Sequence, residues 1–204
     1  MTEPHNGAQD VELIEKTTPY QGYFRIDVYR LRHRCFGGGW TEVMSRDLLE
    51  RGPASVVLPY DPLRDNVVLI EQFRIGAYAA GIAPWLIEPV AGMVEAGETP
   101  EEVARREAVE EAGCEITDLE PIGHVLSSPG GSTEVYHLYC GRTDSAGIGG
   151  IHGLTQEHED IRAFTLPVDT ALERLAKSEY NNAITVMTLQ WLALNRERLK
   201  KKWS

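Results

Sequence analysis

Between residues 20 and 34 polar and apolar positions alternate, Phe24, Ile26 and Val28 against Arg25, Asp27 and Tyr29, the two-residue period of a strand. Gly37-Gly38-Gly39 turns the chain before a second run over 40–47, so the spacing predicts an N-terminal β-hairpin. Apolar runs over 54–60 and 67–74 flank Asp61-Pro62-Leu63-Arg64-Asp65-Asn66, a connector rich in turn residues, and predict two core strands. Further on, 122–127 and 134–140 read as strands around Ser128-Pro129-Gly130-Gly131-Ser132, 162–166 as another short strand, and 168–178 as a short helix. From Asn182 the apolar positions Ile184, Met187, Trp191 and Leu194 recur at helical spacing, and Arg196, Arg198 and Lys200 follow where cations favour the helix dipole. A final amphipathic helix is therefore expected to cover the sheet. The sum is a mixed α/β sandwich without internal repeat or low-complexity linker. Residues 1–10 are polar and expected to be mobile, 11–53 to form N-terminal strands, and 54–204 to form the core domain.

One helix is signalled at both ends. Thr99 and Glu102 form a capping box, with Pro100 at the first helical position, where its missing NH costs nothing. Gly113 suits the left-handed residue that closes a helix, so the segment is predicted over 100–112. Ala104, Ala108 and Ala112 make a small-residue stripe that lets the helix backbone approach a sheet. Beside it Glu107, Glu110 and Glu111 share a face, and like charges at that spacing repel, so the cluster calls for a cation. Carboxylate oxygens favour Mg²⁺, with Mn²⁺ possible, over zinc, and Mg²⁺ commonly joins one or two carboxylates to substrate phosphates. The competing reading is a solvated acidic helix face.

Composition narrows the partners. The 204 residues, 42% of them hydrophobic, are enough for a sizeable core, and a net charge of −11 argues against a nucleic-acid surface. No segment approaches the roughly 20 apolar residues that cross a bilayer, and Met-Thr-Glu-Pro-His-Asn lacks the basic-then-apolar order of a signal peptide, so a cytoplasmic protein without membrane contact is expected. Cys35, Cys114 and Cys140 are odd in number and widely spaced, which suggests neither a disulfide framework nor a zinc site. His33, His124 and His137 also lack zinc-site spacing.

The run of Gly92, five residues, Glu98, seven residues, Arg106-Glu107, then Glu110-Glu111 and Gly113 resembles the Nudix box, with Ala108 and Cys114 where the family usually places bulkier apolar side chains. The resemblance implies a Nudix-type α/β/α sandwich with a mixed β-sheet. It assigns Glu107 and Glu111 as metal ligands and Glu110 as support for the metal cluster; Arg106 would orient the carboxylates and Glu98 tie the loop to the helix. Pro89-Val90-Ala91-Gly92, the loop Gly153-Leu154-Thr155-Gln156-Glu157-His158-Glu159-Asp160 and the 128–134 segment extend the likeness to the ADP-ribose diphosphatase branch, from about residue 12 to 199. In that branch the Ala91 carbonyl and Glu159 would be further metal ligands and Glu157 the general base. Tyr23, Phe24, Arg46, Arg51, Arg74, Met93 and Glu134 match positions that line the substrate: aromatic faces suit a base, and arginine forks suit a diphosphate. The implied reaction is ADP-ribose plus water giving AMP and ribose 5-phosphate, by a homodimer paired through its N-terminal strands. Hydrolysis of another nucleotide sugar, such as GDP-mannose or ADP-glucose, uses the same machinery. A non-catalytic ADP-ribose sensor would instead show a broken box or a DNA-binding domain.

Overall fold

The computed structural model describes residues 7–154, 156 and 158–203. Its contacts divide into two compact units: residues up to Pro53 with Leu126–Val135, and Ala54–Val125 with Tyr136 onwards.

In the first unit a 3-10 turn, Ala8–Asp10, leads into a three-stranded antiparallel sheet of β1 (Val11–Gln21), β2 (Arg25–His33) and β3 (Met44–Glu50). The hairpin expected over 20–47 is its second half, with Arg34 and Trp40 bridging at the neck of the glycine loop. The strand β1 escapes a reading by period because its pairing slips between Leu13 and Glu15 and again between Thr17 and Tyr20. Each slip inverts the alternation of faces. Pro19 lies within this outer strand, where a missing NH leaves no ladder bond unmade. The fully buried side chain of β2 is polar: Asp27 accepts Thr18 Oγ1 at 2.6 Å and pairs with Lys16 at 2.9 Å and Arg25 at 3.2 Å. Residues 126–135 are stitched along the end of β3, with Leu49 N on the Gly131 carbonyl at 2.9 Å and Thr133 N on the Leu49 carbonyl at 3.1 Å.

The second unit holds the core. Its sheet has the order β10 (Gly150–His152), β11 (Ile161–Pro167), β5 (Asn66–Phe73), β4 (Pro53–Asp61), β9 (Val135–Arg142), β8 (Asp118–Leu126). Two short strands, β6 (Trp85–Glu88) and β7 (Val90–Met93), pair with β5 and β4. Most registers are antiparallel, but β9 and β4 end side by side, with Thr143 N on the Tyr60 carbonyl at 3.1 Å, so the sheet is mixed. Along β5, Val68 and Ile70 enter one apolar cluster while Val67 and Leu69 enter another, the mark of a strand buried on both faces.

The helices are α1 (Ile75–Ala79), α2 (Pro100–Ala112), α3 (Val168–Ala176) and α4 (Ala183–Trp203). One face of the sheet takes α2, whose Ala104, Ala108 and Ala112 are buried against Val57, Val90 and Ile161. The other takes α3 and α4 through Ala171, Leu189, Leu192, Leu199 and Trp203. These layers match the expected α/β/α sandwich. The face of α4 overlaps the expected stripe only in part: Ile184 is buried and Met187 and Trp191 pack at the edges of the core clusters, but Thr185, Thr188, Leu189 and Leu192 are also buried, while Leu194 is 87% exposed. The first turns of α4 are apolar nearly all round, so spacing alone leaves the phase open. Two threonines enter the buried face because each has an acceptor, Thr185 Oγ1 on the Ile87 carbonyl and Thr188 Oγ1 on the Ile184 carbonyl. Among the described residues no helix is long and apolar enough to cross a membrane.

Candidate active site

The helix α2 forms as its ends dictate. Thr99 Oγ1 accepts the Glu102 NH at 3.3 Å, the Glu102 carboxylate accepts the Thr99 NH at 2.9 Å, and Gly113 closes the helix at φ 62°. A side chain at 113 would be strained by that φ, and its Cβ would also meet His152 Cε1 at 2.8 Å. The first turn of α2 is thus fixed by its cap and the last by β10, which sets the acidic face between them.

On that face Arg106 is the organiser. Its Nη1 reaches Glu107 Oε1 and Glu110 Oε2, each at 2.8 Å, and its Nε reaches Glu98 Oε1 at 3.3 Å. Glu98 in turn accepts the Glu95 NH at 3.0 Å, tying the preceding loop to the helix. The cation that the sequence demanded is therefore partly internal. Glu111 lies deeper, 3% exposed, with Oε2 accepting the Ala91 NH at 3.0 Å. Burial pushes its carboxyl up to about 8, against the Ala91 hydrogen bond, and the negative charges of Glu107 and Glu159 add to the rise. Glu107 is also held above the usual carboxylate range, first by burial and then by Glu110 and Glu159, despite Arg106.

The end of β7 presses on this face. A Cβ at Gly92 would lie 1.9 Å from Glu107 Oε1 and 2.2 Å from its Cδ, so the glycine is what admits the carboxylate. After β10, Gly153 N meets the Glu110 carbonyl at 3.4 Å, and the loop is closed by Glu159, which accepts the Leu154 NH at 3.1 Å. Glu157, the expected base, lies outside the described residues. Glu159 is near enough to raise both helix carboxylates, yet its oxygen is engaged within its own loop. Among the described residues no three carboxylate, imidazole or thiolate side chains surround one point, consistent with Arg106 drawing Glu107 and Glu110 to itself. The donor set nonetheless suits a hard divalent cation: the buried Glu111 and the half-buried Glu107 and Glu110 beside strand β7, with negative charge in excess of the single guanidinium.

The other expected residues fall into separate places. In the first unit Tyr23 and Phe24 pack edge to face at 4.8 Å, Arg51 Cζ lies 5.1 Å from the Phe24 ring centre, and Arg51 Nε meets the buried Glu134 at 2.6 Å. Tyr23 is 91% exposed, an aromatic face open to a ligand. Arg46 lies exposed on β3, opposite Tyr29, and donates to the Ser45 carbonyl. In the second unit Met93 is half-buried on β7, opposite Ala54. Arg74 is clamped by Glu88 and coupled electrostatically to Glu111. Glu88 was not foreseen: a lone glutamate after Trp-Leu-Ile gives no periodic sign that it will be buried.

Known proteins agree with this architecture. The family model for the NUDIX domain matches residues 50–186. An ADP-ribose pyrophosphatase of Escherichia coli (strain K12) is 46% identical over 198 residues, covering 97% of this chain and 95% of the relative. One from Haemophilus influenzae is 43% identical, over 98% and 93%. A GDP-mannose pyrophosphatase of Cronobacter sakazakii is 34% identical, over 91% and 96%. A crystal structure of an ADP compounds hydrolase shares the fold at a TM-score of 0.70, covering 97% of this chain and 98% of the other at 20% identity.

Proposed function

The chain belongs to the NUDIX family, and from that premise we propose that it is an ADP-ribose pyrophosphatase, hydrolysing ADP-ribose to AMP and ribose 5-phosphate. The observation that carries the reading is Glu111, buried on the box helix, tethered to the Ala91 NH and beside Glu107. Identity of 43–46% over nearly the full length to ADP-ribose pyrophosphatases of Escherichia coli and Haemophilus influenzae supports the substrate, and the lower identity to GDP-mannose pyrophosphatases ranks the guanine substrate second.

Nudix hydrolases generally need a divalent metal, and we assign Mg²⁺, with Mn²⁺ as a substitute, to Glu107 and Glu111, helped by Glu110, Glu159 and the Ala91 carbonyl. When bound, such ions neutralise phosphoryl oxygens and acidify the attacking water. The chain's own residues do the rest. Arg106 tethers Glu107 and Glu110 and the Ala91 NH orients Glu111, so the carboxylates are kept on one face and have only to turn from Arg106 to converge on an ion. Glu157 is assigned the proton of the water. Arg74, Arg46 and Arg51 are assigned to the anionic substrate, Tyr23 and Phe24 to its base, and Met93 and Glu134 to the lining.

The domain plan follows: an N-terminal segment over 1–10, of which 1–6 lie outside the described residues, strands over 11–53 for dimerisation and substrate contact, and a catalytic core over 54–204. The outer strand β1 leaves Val11, Leu13, Ile14 and Tyr20 each more than 40% exposed, which supports a homodimer paired there. A cytoplasmic location completes the proposal. The test is a panel of ADP-ribose, ADP-glucose, GDP-mannose and NADH with Mg²⁺ and product identification. ADP-ribose should be preferred and give AMP and ribose 5-phosphate; preference for the guanine substrate would overturn the assignment. Sedimentation at micromolar concentration should show a dimer, and a fully active monomer would overturn the pairing through the N-terminal strands.

A further inference from the structure

Glu88 is a carboxylate that the catalytic scheme does not use, yet it is 1% exposed and makes more than one strong contact. Its Oε2 accepts Arg74 Nε at 2.9 Å, Arg74 Nη2 at 2.7 Å and Gln72 Nε2 at 3.3 Å. Its Oε1 accepts the Asn182 side-chain amide NH, and the Asn182 side-chain Oδ1 caps α4 by accepting the Ile184 NH at 3.0 Å. Thr185 Oγ1 fastens the neighbouring Ile87 carbonyl at 2.9 Å. A buried charge with this many partners is costly to build and fixes its guanidinium in one orientation.

That orientation has a use. With Nε and Nη2 on Glu88, Nη1 of Arg74 makes no hydrogen bond among the described residues, and the side chain is 40% exposed. An arginine gripped along one edge presents the other edge to an anion without first losing its rotamer freedom.

We propose that Glu88 is the positioning residue for Arg74, transmitting the capped start of α4 through Asn182 so that Arg74 offers a fixed nitrogen to the substrate's diphosphate. The inference rests on the diphosphate reading above and names a residue which that reading does not require. The carboxylate acts through Arg74 and touches no reacting atom.

A double-mutant cycle tests it: wild type, Glu88→Gln, Arg74→Ala and the pair, each assayed for KM and kcat on whichever nucleotide sugar the wild type turns over fastest. A wrong substrate assignment then shows in the wild type alone, and a wrong role for Glu88 shows only in the cycle. Glu88→Gln keeps the shape and loses the charge, and should raise KM roughly tenfold with a smaller change in kcat. In the Arg74→Ala background the same change should raise KM less than twofold. Equal factors in both backgrounds, or a single-mutant KM within twofold of wild type, would overturn the proposal. Should Glu88→Gln fail to fold, Asn182→Ala, which removes one donor from Oε1 and no charge, carries the test: a raised KM that vanishes in the Arg74→Ala background supports the role, and an unchanged KM refutes it.

Discussion

Gly92→Ala isolates the placement of one carboxylate from everything else. The glycine lies in β7 outside the left-handed region, so alanine is compatible with its backbone, and the pairing of Gly92 with Ser55 is kept. The new methyl would overlap Glu107, at 1.9 Å from Oε1, 2.2 Å from Cδ and 2.4 Å from Cγ, so the side chain has to rotate away. Leaving that position breaks the 2.8 Å contact with Arg106, a partly exposed ion pair worth about 0.2–1 kcal/mol. Replacing glycine by alanine in a strand returns about 0.4–1 kcal/mol by restricting the unfolded chain. These offset each other, so urea unfolding should give a stability within about 1 kcal/mol of wild type. Activity should behave differently, because a ligand displaced by about 1 Å or more costs on the order of 100-fold in kcat. Turnover at saturating Mg²⁺ and a urea titration on the same preparation decide the matter. Near-normal kcat would refute the claim that Glu107 must occupy the space Gly92 leaves, and a loss of several kcal/mol would show that the glycine serves the fold instead.

Two other expectations come from the same coordinates. Glu111→Gln retains an oxygen for the Ala91 NH in an isosteric side chain, so its melting temperature should stay within a few degrees while turnover is nearly abolished; retained turnover would remove Glu111 from the metal site. Asp65 is held by Tyr60 OH at 2.9 Å, Arg196 Nε at 3.0 Å and Lys200 Nζ at 2.8 Å, and these partners outweigh its partial burial and lower its carboxyl to about 2. A lowered folded value means stability present in full above the unfolded value near 4 and lost as pH falls towards 2; solvent screening reduces the effect to about 1 kcal/mol. Asp65→Asn tolerates the local φ of 58°, so its urea-unfolding deficit should be about that size at pH 7 and shrink below pH 4; a deficit independent of pH would contradict the linkage.

Much of the site was readable because its signals are local. The box helix declares itself by a cap, a proline and a terminal glycine within fifteen residues, and these place Arg106, Glu107, Glu110 and Glu111 on one face whatever surrounds them. What the chain conceals is decided by distant partners. The strand β1 hides its period behind two register slips, and α4 hides its phase because apolar side chains surround its first turns. Glu88 gives no sign of burial until Arg74, Gln72 and Asn182, remote in sequence, meet around it. Arg106 was expected to orient carboxylates, but only the coordinates show one nitrogen shared by two of them.

The central claim is that a divalent cation on the acidic face of α2 makes this chain a hydrolase of ADP-ribose. The direct measurement is ADP-ribose turnover after exhaustive chelation and again on stepwise return of Mg²⁺, with circular dichroism to confirm that the fold is kept throughout. Activity should vanish without the ion, recover as it is restored, and yield AMP and ribose 5-phosphate. Undiminished cleavage by the chelated, folded protein would contradict the account.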